Sequence, residues 1–381
     1  MEDDPTQEIQ HEAVAVNIEV PVRVFSGGEI VDDLTIEDFE LFEDGEPQTI
    51  DALYFVRHSK ISRAESRDES SSEEISVRPS TRRHFVLIFQ MMTYLPEVGD
   101  AVDYFFEEVL LDGDSLAVVT PEKTYRFREE ALQRITPENI ADQLKAKIRT
   151  DVWKAGFEYR ALQKHLHDLL IQTGEEDYVI KNDMIISLLR RMKDHIYLDP
   201  AKVKNFAGYL SSLDGQKHVI LLLQNELMPF PKAEFDKEDT SELDLLRVEM
   251  QQDFPMHLED VRKFFSDSTI HFHFSYITRR ENQILDITRQ LSFEAQKIDL
   301  VEFKQELISV FKDIADTTGG VTDTSYNARA SFRRAVEAVE NYYLLFYTPK
   351  AYKPDGKFHT IEVKLKAGNY RLAHRRGYVA D

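Results

Sequence analysis

Amide, thioether and phenol side chains follow two mainly apolar runs of the chain, at residues 84–89 and 217–223. Such runs are typical of strands buried on both faces of a parallel sheet. Ligands of these sheets bind just past the carboxyl ends of the strands. The side chains available there are those of Gln90, Met92, Thr93, Tyr94, Gln224 and Asn225. Because none of them is a carboxylate or an activated nucleophile, the pattern predicts a binding edge without catalytic residues.

A pair of histidines has a spacing that suits a metal ion. His271 and His273 alternate on a predicted strand and therefore point to the same face. No third ligand of suitable spacing accompanies them, and histidines in a protein core are far commoner than metal ligands. The chain also contains no cysteine, which excludes thiolate zinc sites and cysteine nucleophiles. These residues therefore predict neither a metal nor a cofactor.

The sequence contains no motif typical of an enzyme. None of its 14 glycines forms a G-x-G-x-x-G or Walker loop, which would cradle a phosphate. Ser325 and Ser331 lack the glycine-framed turn that presents a hydrolase nucleophile. We therefore predict that the protein is not an enzyme. An enzyme with its site among the predicted helices at 129–213 stays open as an alternative.

The charge of the chain restricts its partners. It carries 69 acidic and 47 basic residues, for a net charge of −22. Nucleic acid needs a cationic surface, so the composition argues against it. No apolar run reaches the roughly 18 to 20 residues that span a membrane. A protein is the expected partner.

The elements that position the candidate residues alternate between strands and helices from residue 83 to 341. Strands are predicted at 84–89, 115–120, 217–223 and 269–276. Helices are predicted at 97–111, 137–149, 155–173, 180–197, 200–213, 241–266, 300–316 and 327–340. This alternation predicts an open, doubly wound α/β sheet. Residues 129–213 contain several predicted helices and no convincing strand, so they are expected to form a helical insertion.

The two ends of the chain have β character. Residues 1–11 are polar and predict a disordered tail, and residues 58–82 are rich in Ser, Glu and Arg and predict a flexible linker. Alternating patterns predict strands within 12–57 and 342–381. Neither segment is long enough to bury an apolar face alone. They are therefore expected to form one small, discontinuous β-sandwich, with the α/β domain inserted between them.

Three segments resemble one family. They are VPVRVF…DLTIEDFELFEDGEPQTI, the DTTGG at 316–320, and YYLLFYTPK…DGKFHTIEVKLK…RRGYVA. Together they are similar to the bacterial VWFA-related domain proteins, a branch of the von Willebrand factor A (vWA) superfamily. The resemblance implies a vWA (Rossmann-like), mostly parallel sheet with a flanking β unit. It also implies export to the periplasm or cell exterior. A cytoplasmic location stays open, because the start MEDDPTQEIQ has neither a basic nor an apolar signal region.

The resemblance also implies a metal site that this sequence departs from. Metal-dependent members carry Asp-x-Ser-x-Ser after the first strand, and here those positions hold Gln90, Met92 and Tyr94. Gln224 and Asn225 stand where a further Asp follows the fourth strand, and Thr150 is a weak match for the loop threonine. Hard cations need charged oxygen ligands, so the expected site is degenerate and empty of metal.

The resulting expectation is a metal-independent module for adhesion or protein–protein interaction. Two alternatives stay open for the edge at Met91, Met92 and Tyr94: it contacts a partner, or it packs beneath the helical insertion. A metal-dependent adhesin, with an ion site displaced toward Asp151 or Asp100, is the alternative function.

Overall fold

The computed structural model describes residues 16–27, 29–57, 60–66, 82–127, 134–171, 178–196, 200–224, 226–231, 269–278, 298–302 and 305–380, with a few single positions between them. The expected tail at 1–11, most of the expected linker, most of the helix expected at 241–266, and Asn225 lie outside the described residues.

Among the described residues, strands alone form the two ends of the chain, and strands and helices alternate between them. The strands are β1 (Ile18–Ser26), β2 (Glu29–Ile30), β3 (Phe39–Glu43), β4 (Glu46–Gln48), β5 (Ala52–Arg57), β6 (Lys60–Ser66), β7 (Arg83–Gln90), β8 (Ser115–Val119), β9 (Thr124–Phe127), β10 (Gln216–Gln224), β11 (Leu227–Pro231), β12 (Ile270–Ile277), β13 (Ile298–Glu302), β14 (Thr322–Ser325), β15 (Asn341–Tyr347), β16 (Phe358–Leu365), β17 (Arg371–His374) and β18 (Gly377–Val379). The helices are α1 (Pro96–Tyr104, which continues as a π turn over Phe105–Val109), α2 (Pro137–Ile171), α3 (Tyr178–Ile196), α4 (Pro200–Ser211), α5 (Gln305–Thr318) and α6 (Ala328–Glu340).

A six-stranded sheet forms the centre of the α/β part, in the order β14-β12-β10-β7-β8-β9. Its neighbours are parallel except at one edge, where β9 runs antiparallel to β8. Counted along the chain, the order across the sheet is 6-5-4-1-2-3, which is that of a doubly wound fold. The order reverses between β7 and β10, where a doubly wound sheet opens a crevice at its carboxyl edge. The predicted mixed α/β character is thus confirmed.

Helices cover both faces of this sheet because its central strands are apolar on both sides. Phe85, Leu87 and Phe89 pack on one face with residues of α1, α2 and α6. Val86, Val219 and Leu221 pack on the other face with residues of α4 and α5. This is why the strands at 84–89 and 217–223 were predictable from their composition.

Strands from the two ends of the chain pair with one another. One sheet has the order β17-β1-β15-β5-β6, and a second has the order β18-β16-β3-β4. The register in the first sheet sets Ile18 opposite Tyr347 and Tyr343 opposite Phe55. A shared core lies between the two sheets, with Val20 and Tyr343 from one and Leu41 and Ile361 from the other.

Arg23 of β1 links this β part to the α/β part. Its Nε donates to the carbonyl of Ala338 in α6, and its Nη1 donates to the carbonyl of Gly319 after α5. The side chain is fully buried, and burial lowers the pKa of Arg23 to about 10. Its guanidinium lies 5.4 Å from the ring centroid of Tyr342.

Several segments differ from the sequence prediction. Residues 298–302, where a helix was expected to begin at 300, form β13, and the strands β9, β11 and β14 were not predicted. Residues 60–66, expected in the flexible linker, form β6 and pair with β5. Glu65 in β6 accepts a hydrogen bond from the backbone N–H of Ile36 at 2.8 Å, so polar contacts rather than an apolar face hold this edge strand. The helices predicted at 137–149 and 155–173 are one continuous helix, α2. Packing of Val152 and Ala155 overrides the weak helix propensity of the Thr150-Asp151 step.

Candidate functional site

The two glutamines at the switch point have different roles. Gln224, at the end of β10, is buried, and its Oε1 accepts hydrogen bonds from the backbone N–H groups of Met92 (3.2 Å) and Thr93 (3.0 Å). Among the residues that the structure describes, Gln90, at the end of β7, reaches only the carbonyl of His195 in α3, at 3.4 Å. The Gln224 amide therefore fixes the chain that leaves β7. Its hydrogen-bonding oxygen is used for this structural contact at the switch point.

Helix α2 covers the edge at Met92. The Met92 side chain is 3% exposed and packs with Ala155 and Tyr159 of α2 and with Leu189 of α3. Gly156 lets α2 approach so closely that a Cβ there would lie 2.0 Å from the carbonyl oxygen of Met92. Of the two alternatives for this residue, the structure places it beneath the helical insertion. Met91 is 1% exposed and belongs to the core.

Tyr94 and Thr93 are half-buried beside the same helix. The guanidinium of Arg149 in α2 lies 5.0 Å from the centroid of the Tyr94 ring. Burial raises the pKa of the Tyr94 phenol, and the positive charge of Arg149 partly offsets this. The phenol therefore stays neutral. Its ring stacks against the Arg149 cation and does not act as an acid.

The carboxylates of the displaced-ion alternative are engaged elsewhere. Asp151 is buried, and its Oδ2 accepts hydrogen bonds from the hydroxyls of Thr120 and Tyr125, both at 2.7 Å. Burial and then this hydrogen bond raise the pKa of Tyr125 to about 12, so Tyr125 remains a donor. Asp100 is exposed and lies 3.5 Å from Arg329, and the Thr150 hydroxyl donates to the carbonyl of Ala146. Within the described ranges, neither Asp100 nor Asp151 belongs to a group of three or more carboxylates and histidines that could hold a metal ion.

The histidine pair lies inside the sheet rather than at its edge. His271 and His273 are 1% and 0% exposed, and the His271 ring stacks on His218 of β10 at 5.1 Å. Burial, followed by neighbouring positive charge, lowers the pKa of all three histidines well below 6.5. His271 Nε2 lies 2.8 Å from the Gln216 side-chain oxygen. Stacked, neutral rings of this kind belong to the core and do not form a ligand set.

An exposed aromatic pair lies on the outer face of the helix that covers the edge. Trp153 and Phe157 of α2 are 61% and 57% exposed, and their rings stack at 5.5 Å with 21° between their planes. The buried side of α2 is formed by Ile148, Val152 and Tyr159. Sequence reasoning missed this pair, because two aromatic residues four apart on a helix are usually part of a core. The sequence did contain a clue: Ile148, Val152 and Ala155 already form one apolar face of the helix, which leaves Trp153 and Phe157 on the outer face.

Exposed basic residues precede and follow the aromatic pair along the helix. Six basic residues and two acidic residues lie between residues 145 and 164, although the whole chain has a charge of −22. The exposed basic residues of this segment are Lys147, Arg149, Lys154, Arg160 and Lys164. Lys154 pairs with Glu122, and the Arg160 guanidinium lies 3.5 Å from the Met92 carbonyl. We call the surface formed by Trp153, Phe157 and these five residues the α2 face.

Comparison with known proteins adds little to this description. No protein-family model matches the chain, and no curated protein matches it in sequence. A solved structure of an aerotolerance-related membrane protein from Bacteroides fragilis NCTC 9343, with multiple mutations to serines, matches at 8% identity and a TM-score of 0.25. The match covers 68% of this chain and 98% of that chain. A likeness at this level does not establish a family.

No helix in the described part of the chain combines the length and the apolar character needed to cross a membrane.

Proposed function

We propose that the chain is a non-enzymatic protein–protein interaction module of the vWA type that binds its partner without a metal at the sheet edge. The doubly wound strand order with one antiparallel edge strand supports the vWA assignment, together with the resemblance of the chain ends. The neutral residues Gln90, Met92 and Gln224 at the switch point support metal independence. Helix α2 and the Gln224 amide fill the place where an ion and its ligand would bind.

The contact surface in this proposal is the α2 face. Its two central side chains are a stacked Trp and Phe that are more than half exposed, and this exposure is the observation that carries the proposal. Large aromatic side chains are enriched at the centres of interfaces and contribute much of the binding energy there. Lys and Arg at the rim accelerate encounter with a partner of opposite charge.

The chemistry of the α2 face defines the partner. Five exposed basic residues around two aromatic rings fit an acidic segment that also carries apolar side chains. The rest of the molecule is acidic and repels such a segment, which directs it to this helix. We therefore propose an acidic protein segment with at least one large apolar side chain as the occupant.

Trp153 provides a direct measurement, because it is the one tryptophan of the chain. Peptides with acidic and aromatic residues would be selected by phage display against the full chain and titrated into it. We expect the emission of Trp153 to shift to shorter wavelength on binding, because the ring leaves water. We also expect protection of the ring from iodide quenching.

Variants distinguish this surface from others. Trp153→Ala or Phe157→Ala should weaken binding of the selected peptides by about 2 kcal/mol or more, the size typical of an interface hot spot. The matched control is Met184→Ala, which truncates another exposed apolar residue, on α3 (42% exposed), and should leave binding unchanged. Peptides that bind both aromatic variants with unchanged affinity would contradict the proposal, as would a binding set with no acidic bias.

We further propose export to the periplasm or cell exterior, which rests on the resemblance alone. Immunoblotting of fractionated bacterial cells that express the native gene checks it. Accumulation in the cytoplasmic fraction alone would contradict export without affecting the α2 face.

A further inference from the structure

Three potential metal ligands converge on the β3–β4 turn, in the β part of the chain. Glu43 ends β3, Asp44 begins the two-residue turn, and His359 lies in β16 beside them. One ligand atom from each of the three lies within 4.8 Å of the other two. His359 Nδ1 is 2.8 Å from Asp44 Oδ2 and 3.9 Å from Glu43 Oε1. We propose that Glu43, Asp44 and His359 bind a divalent transition-metal ion.

Residues outside this trio orient each ligand. Tyr347 donates a hydrogen bond of 2.6 Å to Glu43 Oε2, and the backbone N–H of Thr360 donates one of 2.8 Å to Asp44 Oδ1. These contacts use the carboxylate oxygens other than those nearest His359. Outer contacts of this kind fix the geometry of metal ligands in proteins.

The histidine shows the same arrangement. Its Nε2 lies 3.3 Å from Asp355 Oδ1, on the opposite side of the ring from Asp44. When Nε2 carries the proton and donates it to Asp355, Nδ1 has a free lone pair directed toward Glu43 and Asp44. A carboxylate behind a metal-binding histidine fixes its tautomer and raises its basicity.

The charge around Glu43 supplies an independent reason for a cation. Its side chain is nine-tenths buried, at 9% exposure. Among the described residues, the group of opposite charge within 4 Å of it is His359, and no lysine or arginine takes that place. Its Oε1 has a long contact of 3.3 Å with the Tyr378 hydroxyl. The two tyrosine hydroxyls satisfy hydrogen bonds but carry no charge, and a divalent ion would offset the charge of this buried carboxylate.

The donor set favours zinc. One imidazole nitrogen and two carboxylate oxygens leave one position of a tetrahedral site for water. Asp44 is exposed, so that position is open to solvent. Mg²⁺ prefers oxygen ligands in a near-octahedral set, which three side chains with one imidazole fit poorly.

The test is a titration of Zn²⁺ into chelator-treated full chain, followed by calorimetry and thermal melting. We expect one ion per chain and a rise in melting temperature that EDTA reverses. Mg²⁺ should produce no such rise. Absence of one-to-one Zn²⁺ binding would overturn the proposal and leave the trio as a hydrogen-bonded ion pair.

Two ligand variants and one control complete the test. His359→Gln and Asp44→Asn should each weaken Zn²⁺ binding at least tenfold. Asn tolerates the positive φ of 49° at position 44, so Asp44→Asn preserves the turn if His359→Gln fails to fold. The control is His165→Gln, which removes an exposed histidine of α2 and should bind Zn²⁺ as the parent does. Undiminished binding by both ligand variants would overturn the assignment.

Discussion

Gln224 shows how one side chain replaces a ligand. Its single amide oxygen accepts from two backbone N–H groups, those of Met92 and Thr93, at the end of a buried strand. Gln224→Leu keeps the volume but leaves both donors unpaired, and an unpaired buried donor costs about 1 to 3 kcal/mol. We expect the free energy of unfolding to fall by about 2 kcal/mol or more in urea denaturation.

Gln90→Leu is the matched control for this prediction. Its amide makes one long contact, at 3.4 Å, so we expect a loss below about 1 kcal/mol. Equal losses for the two variants would show that the Gln224 amide does not hold the chain after β7.

The three buried histidines predict loss of stability in mild acid. Burial first, then the nearby positive charge, holds the folded pKa of His218, His271 and His273 well below the unfolded value of 6.5. Between these values the unfolded chain binds protons that the folded chain does not. Stability is therefore complete above pH 6.5 and falls by about 1.4 kcal/mol per pH unit for each histidine below it.

His218→Phe measures this effect for one ring. Phenylalanine can stack between Phe85 and His271 as His218 does, at 5.3 and 5.1 Å, but it does not titrate. The slope of unfolding free energy between pH 5 and 6.5 should decrease by about 1.4 kcal/mol per pH unit. An unchanged slope would mean that His218 binds protons equally in the folded and unfolded states. His359 has the opposite sign: its raised pKa stabilises the fold at low pH, and this is lost as the pH rises through that pKa.

At the scale of elements, the packing of α2 on β7 depends on a glycine. Gly156→Ala would place a methyl group 2.0 Å from the Met92 carbonyl oxygen, so the helix must shift. We expect a loss of about 1 to 3 kcal/mol, as for other overpacked sites. Gly208→Ala in α4 is the control, because nothing lies within 4 Å of its Cβ position. That change should stabilise the protein by up to about 1 kcal/mol through helix propensity. Thermal unfolding of both variants measures the difference, and stabilisation by both would show that α2 is not in close contact with Met92.

The elements differ in how far their sequences revealed them. The buried strands β7, β10 and β12 were predictable, because a strand covered on both faces has to be apolar throughout. The edge strand β6 was not, since its residues face water or make polar contacts and leave no alternation of apolar and polar residues to detect.

Sites that depend on long-range strand pairing are equally hard to predict from sequence. The edge residues Gln90 and Gln224 follow apolar strands and were found, although not their contacts. Glu43 and His359 are 316 positions apart, and only the pairing of β3 with β16 brings them together.

At the scale of the whole molecule, β15 is the strand on which the β part depends. It lies between β1 and β5, with Tyr343 and Leu345 in one core and Tyr342 and Leu344 in another. A chain that ends at Glu340 loses this strand together with β16 to β18. Trypsin should then cut at Arg23 as well as at the exposed Arg57. In the full chain Arg23 is completely buried and therefore protected. Mass spectrometry of timed digests checks this, and a truncated chain that stays intact over residues 18–57 would show that β1 and β5 fold without β15.

The pairing of β1 with β15 also delays the folding of β1 during translation. Ile18 leaves the ribosome 329 residues before Tyr347, its partner in the register. At the usual rate of about 5 to 20 residues per second, the interval is roughly 15 to 65 s. During that time residues 18–22 of β1 lack their partner strand β15, and an unpaired apolar strand invites aggregation. Synthesis of this protein should consequently draw on a holdase chaperone such as those that shield nascent chains, and the yield should rise when such a chaperone is supplied in excess.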